Sequence, residues 1–490
     1  MKTMMPKILT AALLALSVFS EARGAVVTIN GQNPGPTPFI SLLSLTVSDA
    51  AALEQIDFKI YPKPASSTRA VYARYSKTYL QARGLLDPAT GQITLPVFGL
   101  YANYSNRVVL LSTFVDQSFQ RDTVGVLTPV WNDRANVYKN PTVVQPRIPN
   151  TSLSYDFVLL RNFATPTNPP IILDTDGEVR WVGRPGLASP SAIFFDQGIY
   201  VYSGSSLVRL EFDGTFSAVA NYASQGVTGF HHNFDQGKTG ILIEAQTTAQ
   251  VASVIFEVNA AGAILKRWDF ADIISAAMRA GGDDPSGFVR PRGAPADAWF
   301  HNNAATYRPS DDTLIASSRE NFVMAVDYQT GALKWLLGDS TKKWYQEYPS
   351  LRRYALSLGP NTVAPIGQHA VSIYRDRLLL FDNGLNSLNQ IPRGASRNFS
   401  VARKYLIDAA GMTATEIWSY GANPSIQSDA CSSVYEDASR NYLIDYARIT
   451  ALVGLDSSGS KVFDYRYPTL GFCGTIYNAA PIHLENMRFN

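Results

Sequence analysis

One motif recurs six times between residues 171 and 465: an apolar strand, an Asp or Asn, a Gly within a few residues, and a second strand that often ends in Trp. The copies are Ile171–Trp181, Val208–Phe216, Ile255–Trp268, Val323–Trp335, Tyr405–Trp418 and Leu452–Tyr465. Each reads as a β-hairpin whose Gly (Gly177, Gly214, Gly262, Gly331, Gly411, Gly459) takes the positive φ of a tight turn. A terminal Trp can pack across one sheet against the next. A second kind of strand lies between the hairpins: Ile199–Ser203, Ile241–Ala245, Leu314–Ser318, Leu378–Asp382 and Tyr442–Tyr446. Two strand pairs per unit make a four-stranded blade, so the array predicts a six-bladed β-propeller over residues 150–490. A tandem of β-sandwiches is the alternative architecture.

The propeller does not account for the whole chain. Residues 25–145 hold strand-like runs such as Gln92–Leu100 and Arg107–Thr113 with no internal period, and predict an N-terminal β-sandwich. Asn140–Pro149 carries three Pro and reads as a linker. The expected fold class is therefore all-β, with one helix at Asp269–Ala280 between an Asp N-cap and Gly281. Residues 1–24 read as a signal peptide. Lys2 and Lys7 precede the apolar run Ile8–Phe19, and a small-x-small site follows. That run is too short to span a membrane and no later one is longer, so the expectation is an exported, soluble protein with no membrane partner. Two Cys in an exported chain permit one disulfide, Cys431–Cys473, with two buried thiols as the alternative. Two Cys also exclude a four-Cys zinc site and a Cys-ligated iron–sulfur cluster. A formal charge of +2 argues against a nucleic-acid partner.

Five His in 490 residues make their positions informative. Four occupy one place in the repeat, after a hairpin and before the next strand pair: His231 and His232 in Phe-His-His-Asn, His301 in Phe-His-Asn-Asn, and His369 in Gly-Gln-His-Ala. The same place after the fifth hairpin holds Cys431-Ser432-Ser433. In a propeller the first strand of each blade lines a central channel, so equivalent strand starts converge there. Whether His231 or His232 faces the channel stays open. Arg319 ends the strand pair that begins near His301, and a buried Arg needs an anionic partner. The cluster thus reads as a site for a small oxyanion, which Arg recognises with paired donors. His483 lies outside the pattern.

The residue types narrow the chemistry. Paired carboxylates are missing from these positions, which argues against a two-acid glycosidase. No Ser sits in a Gly-x-Ser-x-Gly elbow, and Gly237-Lys238-Thr239 is not a phosphate loop because position 232 is His rather than Gly. A His can serve as a covalent nucleophile while its neighbours stabilise the transferred group. A three-His metal centre is the rival, and a guanidinium beside it counts against a bound cation. A non-catalytic propeller that binds anionic aromatic ligands is the third reading.

The motifs Phe230-His231-His232-Asn233, His301-Asn302-Asn303 with Ser317-Ser318-Arg319, and Gln368-His369 leading to Phe381-Asp382-Asn383-Gly384 resemble the bacterial aryl-sulfate sulfotransferases that use no nucleotide donor. Pro96-Val97-Phe98-Gly99-Leu100-Tyr101 is similar as well. The resemblance implies a β-sandwich followed by a six-bladed propeller, a periplasmic homodimer, and no cofactor or metal. It implies transfer of a sulfuryl group from a phenolic sulfate donor to a phenol acceptor, by a ping-pong route through a sulfated His. By motif, His369 is the nucleophile. His301, Arg319 and His231 assist catalysis, and Asn303, Ser432 and His232 help to bind substrate, with Ser432 where the family has Thr.

Overall fold

The computed structural model describes residues 24–133, 136–162, 169–183, 191–421 and 426–490. The expected signal peptide lies outside the described residues apart from Gly24. The chain is all-β with few helices.

The described strands between residues 157 and 482 form six sheets, antiparallel except for the parallel edge strand Ser357–Leu358 of the fifth. The second sheet is Ala192–Phe195, Gly198–Ser203, Ser206–Leu210 and Phe216–Asn221. The third is Val227–Gln236, Ile241–Thr247, Val254–Val258 and Ile264–Asp269. The fourth is Asn302–Arg308, Thr313–Ser318, Val323–Asp327 and Leu333–Leu337. The fifth runs from His369–Tyr374 through Arg377–Asp382 and Val401–Asp408 to Thr413–Tyr420, with Ser357–Leu358 at its edge. The sixth contains Ser433–Glu436, Tyr442–Tyr446, Ala451–Leu455 and Lys461–Arg466. Every repeated hairpin of the sequence is the third and fourth strand of one sheet, with a further edge strand beyond it in the fifth and sixth, and every strand of the second kind is a second strand.

The first sheet is built from both ends of this region. Phe157–Asn162, Ile171–Asp174 and Val179–Val182 are completed by Ile476–Ile482, which pairs with Phe157–Asn162. The first strands of the second to sixth sheets touch one another in chain order, and that of the sixth touches Ile476–Ile482. The sheets therefore close a circle.

Aromatic residues staple each sheet to its neighbour. Trp181 donates its indole N–H to the Phe212 carbonyl at 3.0 Å. Trp268 packs on Tyr328, and Trp418 stacks on Tyr442 at 4.1 Å. The Tyr465 hydroxyl, at the end of the last hairpin, donates to the Thr175 carbonyl in the first sheet. Burying one such ring stabilises by roughly 2–3 kcal/mol.

Three local expectations can be compared with the turns. The helix is Phe270–Ala280, with the Asp269 carboxylate accepting the Ala271 N–H and Gly281 at its end. Five of the six hairpin Gly have φ between +74° and +88°. Gly411 departs from the expectation: the left-handed position falls to Met412, at φ +50°. Gly411 is instead required by close approach, because a Cβ there would stand 2.4 Å from Asp408 Oδ2.

The N-terminal region forms two sheets. One is Val27–Pro34, Ile40–Val47 and Gln92–Phe98; the other contains Leu53–Ile60, Val71–Ser76, Ser105–Phe114 and Phe119–Leu127. Met487–Phe489 adds a parallel strand to the second of these, beside Val71–Ser76. Asn140–Pro149, read from the sequence as a linker, contributes Thr142–Gln145 to the edge of the sixth sheet. One apolar core runs from Leu43, Phe58 and Phe98 into Trp181 and Phe212 of the circle. The two regions thus share a core. Cys431 and Cys473 are joined, 42 residues apart, a closure worth about 4 kcal/mol in the chain-entropy model. Among the described residues no helix is long and apolar enough to cross a membrane.

Candidate active site

The inner strands of the circle are interrupted where the His lie. Pairing registers shift between Phe230 and Phe234, between Asn302 and Ala304, and between His369 and Ser372. Left-handed backbone falls at the same places: His232 (φ +45°), His301 (+52°), Ala370 (+54°), Cys431 (+57°) and Ser432 (+75°). Such bulges re-aim side chains that the pleat would otherwise send to alternate faces. Non-Gly residues in this region cost of order 1–3 kcal/mol each, a strain concentrated at functional sites.

The bulges bring four imidazoles together. The His231 ring lies 4.2 Å from that of His232 and 4.7 Å from that of His301. The His232 ring lies 5.4 Å from that of His369. His232 Nε2 and His301 Nε2 are 2.9 Å apart, so one donates a proton and the other accepts it. Both His231 and His232 belong to the cluster.

The tautomer of His369 follows from its partners. Its Nδ1 faces two acceptors, Asn383 Oδ1 at 2.7 Å and the Gly367 carbonyl at 3.0 Å. Asn383 is itself fixed, because its Nδ2 donates to the carbonyls of Ser428 and Cys431. Nδ1 of His369 must therefore carry the proton, and Nε2 keeps a bare lone pair. By the same logic His231 donates from Nδ1 to the Asn302 carbonyl at 3.2 Å and leaves Nε2 bare.

All four imidazoles are held neutral. Burial pushes His231 down to about 4 and His369 down to about 3. For His232 and His301 burial acts first, the other imidazoles and Arg319 add to it, and both fall well below the usual range. His231, His232 and His301 are still partly accessible, as expected for side chains that line a narrow channel.

Arg319 is buried and bonds Glu320 Oε1 at 2.7 Å. The anionic partner demanded by its burial is thus the next residue in the chain. Glu320 is anchored in turn by the Ser387 hydroxyl and the backbone N–H groups of Leu388 and Asn389. The Arg319 N–H donates to the His301 carbonyl, which places the guanidinium strand beside the cluster. Only one guanidinium N–H of Arg319 is hydrogen-bonded among the described residues, leaving donors for an oxyanion. Asn303 donates to the Gln368 carbonyl at 2.7 Å, and its buried Oδ1 has no partner.

Ser432 is differently engaged. Its hydroxyl meets Ser428 Oγ and the Ala430 carbonyl and accepts from the Ala447 N–H. Those contacts fill the one donor and two acceptor sites of a hydroxyl. Ser432 therefore braces the loop that carries the Cys431 carbonyl, one of the Asn383 anchors. His483 stands apart from the cluster, between Glu485 and Asp437, each at 2.8 Å.

Sequence reasoning assigned no role to Asn383, Glu320, Lys342 or Tyr477. Asn383 sits in the quoted Phe-Asp-Asn-Gly run and Glu320 follows Arg319, so both carried a local signal. Lys342 donates to the Glu320 carbonyl at 2.9 Å, and burial pushes it down to about 8. Tyr477, on the strand that completes the first sheet, donates to the His232 carbonyl at 2.8 Å, and Ser191 donates to the same oxygen. These two carried none.

The cluster thus combines a neutral imidazole with a fixed lone pair, a proton shared by two further imidazoles, and a guanidinium with spare donors. The chain belongs to the arylsulfotransferase family, whose model, Arylsulfotransferase (ASST), matches residues 143–467. A relative is arylsulfate sulfotransferase AssT of Escherichia coli O6:H1 (strain CFT073), 25% identical over 209 residues. That match covers 39% of this chain and 33% of the relative, so the chain spans about a third of the length of this curated relative. Solved structures with weak likeness include BamB from Moraxella catarrhalis, at TM-score 0.32 and 12% identity over 78% of this chain and 91% of that one. Another is the dihydro-heme d1 dehydrogenase NirN, at TM-score 0.31 and 10% identity over 89% of this chain and 76% of that one.

Proposed function

We propose that the protein moves a sulfuryl group from a phenolic sulfate ester to a phenol acceptor through a sulfated His369. The supporting observation is the pair of acceptors on His369 Nδ1, which leaves Nε2 as an uncharged nucleophile.

In the first half-reaction Nε2 attacks sulfur, an S–N bond forms and the S–O bond to the aryl group breaks. The phenoxide leaves with the electron pair, its charge stabilised by N–H donation from the neutral His232–His301 pair, and takes its proton from water. A phenol has a pKa near 10, so phenoxide is a feasible leaving group, and adjacent donors lower the barrier further. Arg319 and Asn303 hold the sulfuryl oxygens, with His231 Nε2 beside them. In the second half-reaction the acceptor phenol loses its proton to water, and the neutral imidazole pair again donates to the phenoxide oxygen. The phenoxide oxygen attacks sulfur, the S–N bond breaks, and the electron pair returns to Nε2.

The scaffold belongs to the same proposal: the six sheets are the blades of a six-bladed propeller, and the two N-terminal sheets are a β-sandwich. Export to the periplasm rests on residues 1–24 and fits a bonded cysteine pair. A homodimer, implied by the family resemblance, is checked by sedimentation.

Incubation with an aryl sulfate donor, followed by peptide mass mapping, tests the chemistry. One sulfuryl group should appear on the peptide that holds His369 and disappear when a phenol is added. Turnover without that adduct, or an adduct on another residue, overturns the mechanism.

A further inference from the structure

We propose that His231, His232 and His301 form a binding site for one borderline transition-metal dication, Zn2+ or Cu2+, and that its occupation blocks the sulfuryl site beside His369. The binding stands on geometry alone; the blockade rests on the sulfuryl-transfer reading.

One imidazole nitrogen from each of the three residues lies within 4.8 Å of the others. Three nitrogens at about 2.0–2.1 Å from one tetrahedral ion stand roughly 3.3 Å apart, so modest rotation of the rings completes the site. The rings already face one another from different directions, His231 being inclined 87° to His232 and 81° to His301.

The hydrogen bonds select the ligating atoms. His231 Nδ1 is spent on the Asn302 carbonyl, which orients Nε2 as an outer partner does in metal centres. His232 and His301 already aim Nε2 at each other across 2.9 Å. If the single proton between them moves to the Nδ1 of its owner, two lone pairs become available and no charge changes. His369 is not a ligand in this arrangement, but its ring is 5.4 Å from that of His232. An ion bound through His232 therefore sits beside the His369 ring.

Arg319 is the obvious objection. Its charge is matched by Glu320 at 2.7 Å, so the cluster faces an ion pair rather than a bare cation. Neutral nitrogen donors favour borderline ions over Mg2+ or Ca2+, which prefer oxygen.

The test uses the full-length protein freed of metal by chelation. Calorimetry with Zn2+ should give one site per chain, and the Cu2+ electron paramagnetic resonance spectrum should show coupling to three nitrogens. His231→Ala and His301→Ala should each weaken binding by at least about 100-fold, while His483→Gln leaves it intact. If either Ala variant fails to fold by circular dichroism, His231→Gln and His301→Gln replace them. Zn2+ should raise the KM for 4-nitrophenyl sulfate without lowering kcat, and chelator should reverse the effect. No stoichiometric binding, or binding lost only with His483, overturns the site. Inhibition that lowers kcat alone, or metal-stimulated turnover, overturns the blockade. A chain inactive toward every aryl sulfate would sink the transferase reading, and calorimetry and resonance would still decide the metal site.

Discussion

The channel cluster and His483 place the same side chain in opposite states. In the channel, His369 meets an amide oxygen and a carbonyl, both neutral, and burial drives it down to about 3. At His483 the partners are two carboxylates, and they push it up to about 10 although the ring is 46% exposed. Neutral acceptors fix a tautomer without stabilising a positive charge; carboxylates stabilise the imidazolium. Only the first environment leaves a nucleophile.

The largest break in that comparison comes from His369→Ala, which should lower aryl sulfate turnover by about 10⁴-fold or more, measured as phenol release. Unchanged turnover would mean that the neutral cluster is not the reactive one. Next, Asn383→Leu removes the shorter of the two acceptors that dictate the tautomer, leaving only the Gly367 carbonyl. We expect a fall in kcat of about 10²-fold with little change in KM, as for loss of an orienting group behind a catalytic imidazole.

The third effect is in pH. A nucleophile of ordinary imidazole basicity would lose activity below about pH 6.5. With His369 near 3 and His231 near 4, the acid limb of kcat should lie near pH 4 or below, wherever the fold survives. A limb near pH 6.5 would place the titrating group elsewhere. Stability follows the same signs. The channel imidazoles bind protons less readily when folded than unfolded, so stability is full above about pH 6.5 and is lost as pH falls toward 4 and 3. His483 binds its proton more tightly when folded, so its contribution is full below about pH 6.5 and is lost as pH rises through about 10. The smallest effect is therefore His483→Gln: transfer unchanged, and stability at neutral pH lowered by no more than about 1 kcal/mol, because the half-exposed ring is screened by solvent. A larger loss of activity would merge the two environments into one system.

Much of this was legible in the chain. Hairpins, second strands and the helix are written in local patterns, and the His recur at one place in the repeat. Gly411 was misread because its turn carries an extra residue and passes the left-handed position to Met412. Glu320 was not legible as the partner of Arg319, because a buried Arg beside imidazoles reads equally as the receptor of a small oxyanion. Asn383 was seen only as part of a motif; its role depends on the carbonyls of Ser428 and Cys431, which backbone folding alone reveals. Ile476–Ile482, Met487–Phe489 and Thr142–Gln145 pair with strands far away in the sequence, and such pairing leaves no period to read.

The strand Ile476–Ile482 has a further consequence, one of timing. A chain synthesised from its N-terminus can pair five of its six sheets internally and still hold an open crescent. The Tyr477 hydroxyl under His232 and the amide link from Asn478 to Asn233 arrive only with that last segment. The acceptors of His369 all lie earlier in the chain than that strand, so the His232 side of the cluster is completed later than the His369 side.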